Sequence, residues 1–376
     1  MKKIFFVLIA AFLLTSCSAK VANVVVKNTL DFDRKGEIVE VKIADLKADF
    51  NKKSYVLKNA SGEEVGYQLS KANGTESLIF QADVPAQSSV TYSLTPGTPS
   101  PVAIKTTARF VPERSDDFAF ENDFAAYRMY GPALEKIENP SNGIDIWMKY
   151  KDEPVMDKIY DGRLSKPALS YHEDNGLGGF DSYDVKYTLG AGGVAPVTSQ
   201  WWLGETFDRY EIIEKGPLRS VFQLIYDTIH VENGTYQEIL TITTEAGSPL
   251  NKAVVSFKGI DQPMKLVTGI FMHGDSVNTV YDRKHKILSY TKNVVTNKGV
   301  AKGQTYIGIY TPDAVGEAFV QDKTFAILND YKAGDDLTYY FGGTWNGWKV
   351  PAEADWISNL VHFSQAKQNP LVIEIH

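Results

Sequence analysis

The sequence predicts an all-β protein, a large antiparallel two-sheet structure preceded by a small β-sandwich portion, with few short helices. Three observations carry that expectation. Ten runs after Arg109 alternate in hydrophobicity with a period of two, among them "GIDIWMKY", "LRSVFQLIYDTIHV", "TYQEILTITTEA" and "LTYYFGGTW", and that period marks a half-buried strand. Twenty tyrosines and nineteen phenylalanines suit pleated sheet. Only "DKIYDGRLS" and "PAEADWISNLVHFSQAK" read as helices; in the second, Pro351 and the acids after it favour a helix start, while Trp356, Leu360 and Phe363 fall on one face.

Residues 1–16 read as an export signal, because Lys2 and Lys3 precede "IFFVLIAAFLL", an apolar run too short to span a bilayer. Leu14, Thr15 and Ser16 before Cys17 resemble the bacterial lipobox. Cys17 is therefore expected to be lipidated and to anchor an exported outer-membrane lipoprotein on its periplasm-facing side. The plainer reading is an ordinary signal peptide with an incidental cysteine. Cys17 is the sole cysteine, so no intrachain disulfide forms.

Residues 17–100 read as the small sandwich: "VVV" and "IVEVKI" are strands, "YVLKNASGEEVGYQL" is a hairpin around Ser61 and Gly62, and "SLIFQADVPAQSSVTYSL" is two further strands. Three prolines in "TPGTPSPVAIKTT" interrupt regular structure there. Residues 101–376 follow as the large sandwich, whose concave face suits an elongated ligand. With 39 basic and 46 acidic residues, a net charge of -7, the chain offers little to nucleic acid.

The stretch "PALSYHEDNGLGGFDSYDVKYTLGAGG", residues 167–193, concentrates a histidine with acids, tyrosines and glycines. With "ERSDDFAFENDFAAYRMYGPAL", "GIDIWMK", "EKGPLRSVFQLIYD", "YYFGGTWNGW" and "ADW", it resembles a family of exported bacterial proteins catalogued as a domain of unknown function and found beside polysaccharide-degrading enzymes. The likeness runs from about Val24 to the C-terminus. It implies a galactose-mutarotase-like β-supersandwich. Through a member that looks like an oligosaccharide dehydratase, it also implies action on terminal uronic acids of acidic oligosaccharides. One departure is Lys186 in "YDVKYTLG", near a position where the family pattern often has glycine; it bears on loop geometry.

Elimination from a uronic acid needs a cation to neutralise the carboxylate, a base for the weakly acidic C5 proton, and an acid for the departing C4 oxygen. His172 and Tyr171 are the base and acid candidates, since neighbouring carboxylates raise an imidazole's basicity and fix its tautomer. His273, at the end of the strand "LVTGIFM", is a possible partner. Arg128 shares a strand face with Ala126 and Tyr130, and Arg219 with Val221 and Gln223. Either is a candidate for the substrate carboxylate, or for a pair with a protein carboxylate, Arg114 being a third possibility. Glu121, Asp123 and Asp174 are candidates for sugar hydroxyls, with solvated charge as the bland alternative. Trp201, Trp202 and Trp345 are candidates for stacking on sugar rings, or for the core.

No cofactor is implied with certainty. "GAGG" is followed by no helix pattern, against a dinucleotide fold, and a divalent cation such as calcium stays open without an EF-hand signature or a zinc pair. Three functions compete: a carbon–oxygen lyase, a glycoside hydrolase using paired carboxylates, and a non-catalytic glycan-binding lipoprotein.

Overall fold

The computed structural model describes residues 20–232, 234–274 and 276–376; the expected signal segment and Cys17 lie outside the described residues. The described chain is built of antiparallel sheets with two α-helices, Met156–Leu164 and Glu353–Gln368, as the alternating pattern predicts. No described helix is long and apolar enough to cross a membrane.

The N-terminal portion packs a five-stranded sheet on a three-stranded one. Val24, Val26, Leu57, Tyr92 and Leu94 from the first meet Val39, Val41, Leu78 and Phe80 from the second in a core of their own. The outer strand of the first sheet comes from the far end of the chain: Val372–Ile375 pairs with Ala22–Lys27, Val24 facing Ile375. The strand is only four residues long, Val-Ile-Glu-Ile, and nothing in so short a run names its partner at the other end of the chain.

The larger portion packs an eight-stranded sheet against two others, one of five strands and one of four. The five-stranded sheet runs Gly179–Asp181, Asp145–Lys149, Ala125–Met129, Asp117–Glu121, Thr107–Val111. Its inner face supplies Phe118, Phe120, Tyr127, Ile146, Met148 and Phe180 to the main core, against Phe222, Leu224, Leu240, Ile242 and Phe341 of the eight-stranded sheet. Side chains alternate across a strand, so the intervening residues face outward. Those are Asp117, Ala119, Ala126, Arg128, Asp145, Trp147 and Asp181, and an apolar outer patch accepts the helix Met156–Leu164 through Ile159 and Tyr160. The helix covers only part of this face, and the charged remainder floors a cavity.

Candidate functional site

The cavity has a volume of about 370 Å³. Arg114, Arg128, Tyr130, Tyr171, His172 and Asp181 form its functional wall, with Tyr183 and Lys292 opposite. Strand register assembles the floor: Arg128 pairs directly with Asp145, and Trp147 with Asp181. Two glycines permit the close approaches that this requires. A Cβ at Gly179 would stand 2.5 Å from the Met148 carbonyl oxygen, which would push away the strand carrying Asp181. A Cβ at Gly131 would stand 1.9 Å from the Asp116 carbonyl oxygen, in the turn where Ser115 and Asp116 both hold positive φ, 52° and 61°. Left-handed backbone at two successive non-glycine residues is strained; the turn sets Arg114 over the cavity.

Tyr171 lies almost flat on Trp147, ring centroids 5.1 Å apart, which fixes the residue next to it. His172 Nδ1 then meets Asp181 Oδ2 at 3.1 Å. The Asp181 carboxylate beside it raises the imidazole's pKa above its ordinary value, against burial, which lowers it. With Nδ1 engaged, Nε2 is the nitrogen left for the cavity. Arg114 donates from Nη2 to the Tyr171 hydroxyl oxygen at 3.2 Å and from Nη1 to Ser115, so the phenolic proton remains available to another acceptor. Among the described residues Arg114 forms no ion pair within 4 Å.

Arg128 is committed to the protein. Its Nε donates to Asp145 Oδ2 at 2.9 Å and its Nη2 lies 2.7 Å from the same oxygen in an ion pair, while the rings of Tyr130, Trp147 and Tyr171 surround the guanidinium. Nη1 is buried as well and makes no hydrogen bond among the described residues; the carboxylate oxygen Oδ2 of Asp117 lies 3.8 Å from it. Burial and then the Asp145 charge hold the Tyr130 phenol well above its usual range.

Other residues expected at the site stand elsewhere. Arg219 lies at the junction with the N-terminal sandwich and is satisfied by Glu40 at 2.9 Å and Glu245 at 2.7 Å; it reaches no cavity shared with His172. Glu121 is fully buried, paired with Lys149 Nζ at 2.7 Å, and accepts from the backbone of Val155 and Met156 at the helix start. Asp123 accepts from the backbone of Gly247 and from Lys349. Asp174 accepts from the Tyr150 hydroxyl and Gly176 and pairs with Lys302, bracing the loop before the site strand. The acids that looked like sugar ligands are thus internal anchors.

None of the three tryptophans lines the cavity with His172: Trp345 is buried in the core, and Trp201 and Trp202 are half-buried against it. Trp201 packs edge-on against Phe319 beside Leu189, Ala195 and Val267, and Trp202 donates to Thr198 at 2.6 Å. Trp345 donates to the Lys149 carbonyl and meets Phe180 edge-on. The strand Ala191–Val197 carries the chain into the four-stranded sheet, away from Tyr171. His273 stands beside the cavity. Its Nε2 donates to the Asp184 carbonyl at 2.8 Å, and its ring packs edge-on against Tyr183, so it props the segment that closes one side. Asp145, Asp181 and Lys292 went unread because their strands are short or their spacing conveys nothing. The register of the outer face is the signal that joins them.

Lys186 has φ 56°, a left-handed conformation that glycine adopts at no steric cost. Among the described residues no group of three or more histidine, cysteine or carboxylate ligands is placed to hold a metal.

The fold and site therefore define a β-sandwich protein with an acid–base cluster on the outer face of one sheet. The chain belongs to the family described as Domain of unknown function (DUF4861), whose model matches residues 26–373. It is 26% identical over 399 residues to a protein of Formosa agariphila described as "Uncharacterized protein P7", covering 97% of each chain. Two solved structures are also similar. One is a protein in the glycosyl hydrolase family 38 from Enterococcus faecalis (10% identity, TM-score 0.49, 94% of this chain and 47% of that one). The other is an α-mannosidase from Enterococcus faecalis V583 (11% identity, TM-score 0.49, 96% and 47%). The chain spans about half the length of those two structures.

Proposed function

We propose that the protein is a carbon–oxygen lyase that removes water from a terminal uronic acid of an acidic oligosaccharide. The observation that carries this reading is the meeting of Tyr171, His172, Arg114 and Arg128 around one cavity, with His172 held by a buried carboxylate. Arg114 faces the sugar carboxylate, and the positive charge of the buried Arg128 guanidinium beneath adds to it, which lowers the cost of the enolate-like intermediate. His172 Nε2 takes the C5 proton. The C4–O bond breaks as the C4–C5 double bond forms, and the Tyr171 hydroxyl protonates the departing oxygen, which leaves as water. Proton return from His172 to Tyr171 through solvent completes the cycle.

The pattern at residues 1–17 adds an exported, membrane-anchored location to this proposal, where polysaccharide fragments are met. The test is incubation with a panel of uronate-terminated oligosaccharides. An absorbing ene-carboxylate product lighter by one water is expected, lost in His172→Gln with unchanged circular dichroism. A saturated product carrying oxygen from labelled water would select hydrolysis instead, and binding without turnover across the panel would select a glycan-binding role; either outcome overturns the lyase reading.

A further inference from the structure

Behind the cavity floor one guanidinium serves three buried carboxylates. Arg128 is 4% exposed and Asp117, Asp145 and Asp181 are 0%, 0% and 1% exposed. Only Asp145 is bonded to Arg128: Nε and Nη2 converge on its Oδ2, and Trp147 Nε1 donates to the same oxygen at 2.8 Å. Asp117 Oδ2 lies 3.8 Å from Nη1 and Asp181 Oδ2 3.9 Å from Nη2, both beyond hydrogen-bond reach. Asp145 Oδ1, Asp117 Oδ2 and Asp181 Oδ2 have no hydrogen-bonding partner among the described residues, although Asp181 Oδ2 is in ion-pair contact with His172. Three buried carboxylates with two guanidinium groups, Arg128 among them and Arg114 acting on Asp117, still leave an excess of negative charge, and such an excess is relieved by binding protons.

We propose that Asp145 and His172 are linked in their protonation through the Arg128 and Asp181 side chains that lie between them, and that Asp145 is a positioning residue which sets the protonation of His172 from beneath the floor. This rests on the acid–base role proposed above for His172. Asp145 is the member able to share the proton. It lies deepest, it faces Asp181 across Arg128, and its second oxygen is unbonded. Burial and then the neighbouring Asp181 raise its pKa, against the pull of Arg128. The direct contact of Asp181 with His172 keeps Asp181 beside a cation whenever the imidazole is charged. Linked sites of this kind titrate in macroscopic steps that belong to the group.

The charged and titratable groups around His172 are Asp181 on the neighbouring strand, Arg128 and Asp145 on the floor, and Tyr171 and Glu173 on its own loop. Arg114, Tyr130, Glu138, Asp184 and Lys292 lie around the cavity. Of these, Asp145 can be neutralised without changing shape, since the amide oxygen introduced by Asp145→Asn can accept from Arg128 and Trp147 as the carboxylate does. The electrostatic consequence has a fixed sign: deleting a negative charge near an imidazolium lowers the histidine pKa.

The test is an NMR titration of the His172 ring in the full chain, wild type and Asp145→Asn, with Asp227→Asn as a distant control; it needs no substrate. The His172 midpoint is expected to fall by at least about 0.5 pH unit in Asp145→Asn and to stay put in the control. An unchanged or raised midpoint in a folded Asp145→Asn protein overturns the linkage. Should that variant not fold, the wild type decides: the His172 curve must carry a second inflection at the midpoint of the labelled Asp145 carboxyl carbon, and a single simple curve overturns the proposal. A shifted His172 in a protein without lyase activity would sink the proposed reaction and leave the linkage standing.

Discussion

His172 Nδ1 lies 3.1 Å from Oδ2 of Asp181, so the one histidine of the glycine-rich stretch is joined to the sheet beneath by a buried carboxylate. The carboxylate raises the folded-state pKa of His172. A histidine of this kind contributes its stabilisation fully below its unfolded pKa of about 6.5 and loses it as pH rises through the higher folded value. The urea midpoint of wild type minus that of Asp181→Asn should therefore be greatest near pH 5.5 and shrink toward pH 8. A difference independent of pH would show that Asp181 stabilises by some other contact.

Tyr171 separates packing from chemistry, because its ring rests on Trp147 while its hydroxyl meets Arg114. Tyr171→Phe keeps the stacked ring and removes the proposed acid. It should lose roughly 10²-fold or more in turnover, in line with general-acid contributions, at a stability cost of no more than about 1 kcal/mol. Arg114→Met should raise KM for the uronate more than it lowers kcat, which steady-state kinetics on the panel would read.

Much of the fold was legible because alternation survives in long strands: Arg219–Val231 and Leu337–Trp345 announce themselves by period two. Shorter strands did not, and Gly179–Asp181, three residues within a glycine-rich stretch, carries the carboxylate on which the site turns. Tyr171, His172 and Arg128 were readable from residue type and strand face. Glu121 and Arg219 misled for a physical reason: a charged residue amid apolar sequence signals a buried partner, and sequence does not say whether that partner is substrate or protein. Trp201 and Trp202 misled through chain proximity, since the strand after the stretch leaves the site for the next sheet.

The Lys149–Glu121 pair is the sharpest stability test, since both side chains are fully buried and Lys149 Nζ also donates to the Asn122 carbonyl at 2.7 Å. Lys149→Met strands the Glu121 carboxylate and should cost about 3–5 kcal/mol. Adding Glu121→Gln, which removes the stranded charge and keeps an acceptor for the helix start, should recover part of that loss. Urea unfolding of the single and double variants checks it; a double variant no more stable than Lys149→Met would mean the loss is one of packing.

Glu238 poses the opposite case, a fully buried carboxyl whose two oxygens find no hydrogen bond among the described residues. Desolvation alone pushes its pKa up to about 8, so folding at neutral pH favours the protonated form. The native state then holds a proton that the unfolded chain, titrating near about 4.3, releases. Stability must fall as pH rises between those values, by up to about 1.4 kcal/mol per pH unit from this group, and level off above the folded value. Glu238→Gln removes the titration while keeping the shape of the neutral acid. Wild type and Glu238→Gln should unfold at similar urea concentrations near pH 5, and the variant should become progressively more resistant toward pH 8.5. Parallel pH profiles for the two proteins would mean that Glu238 is charged in the fold and solvated by a route the packing does not reveal.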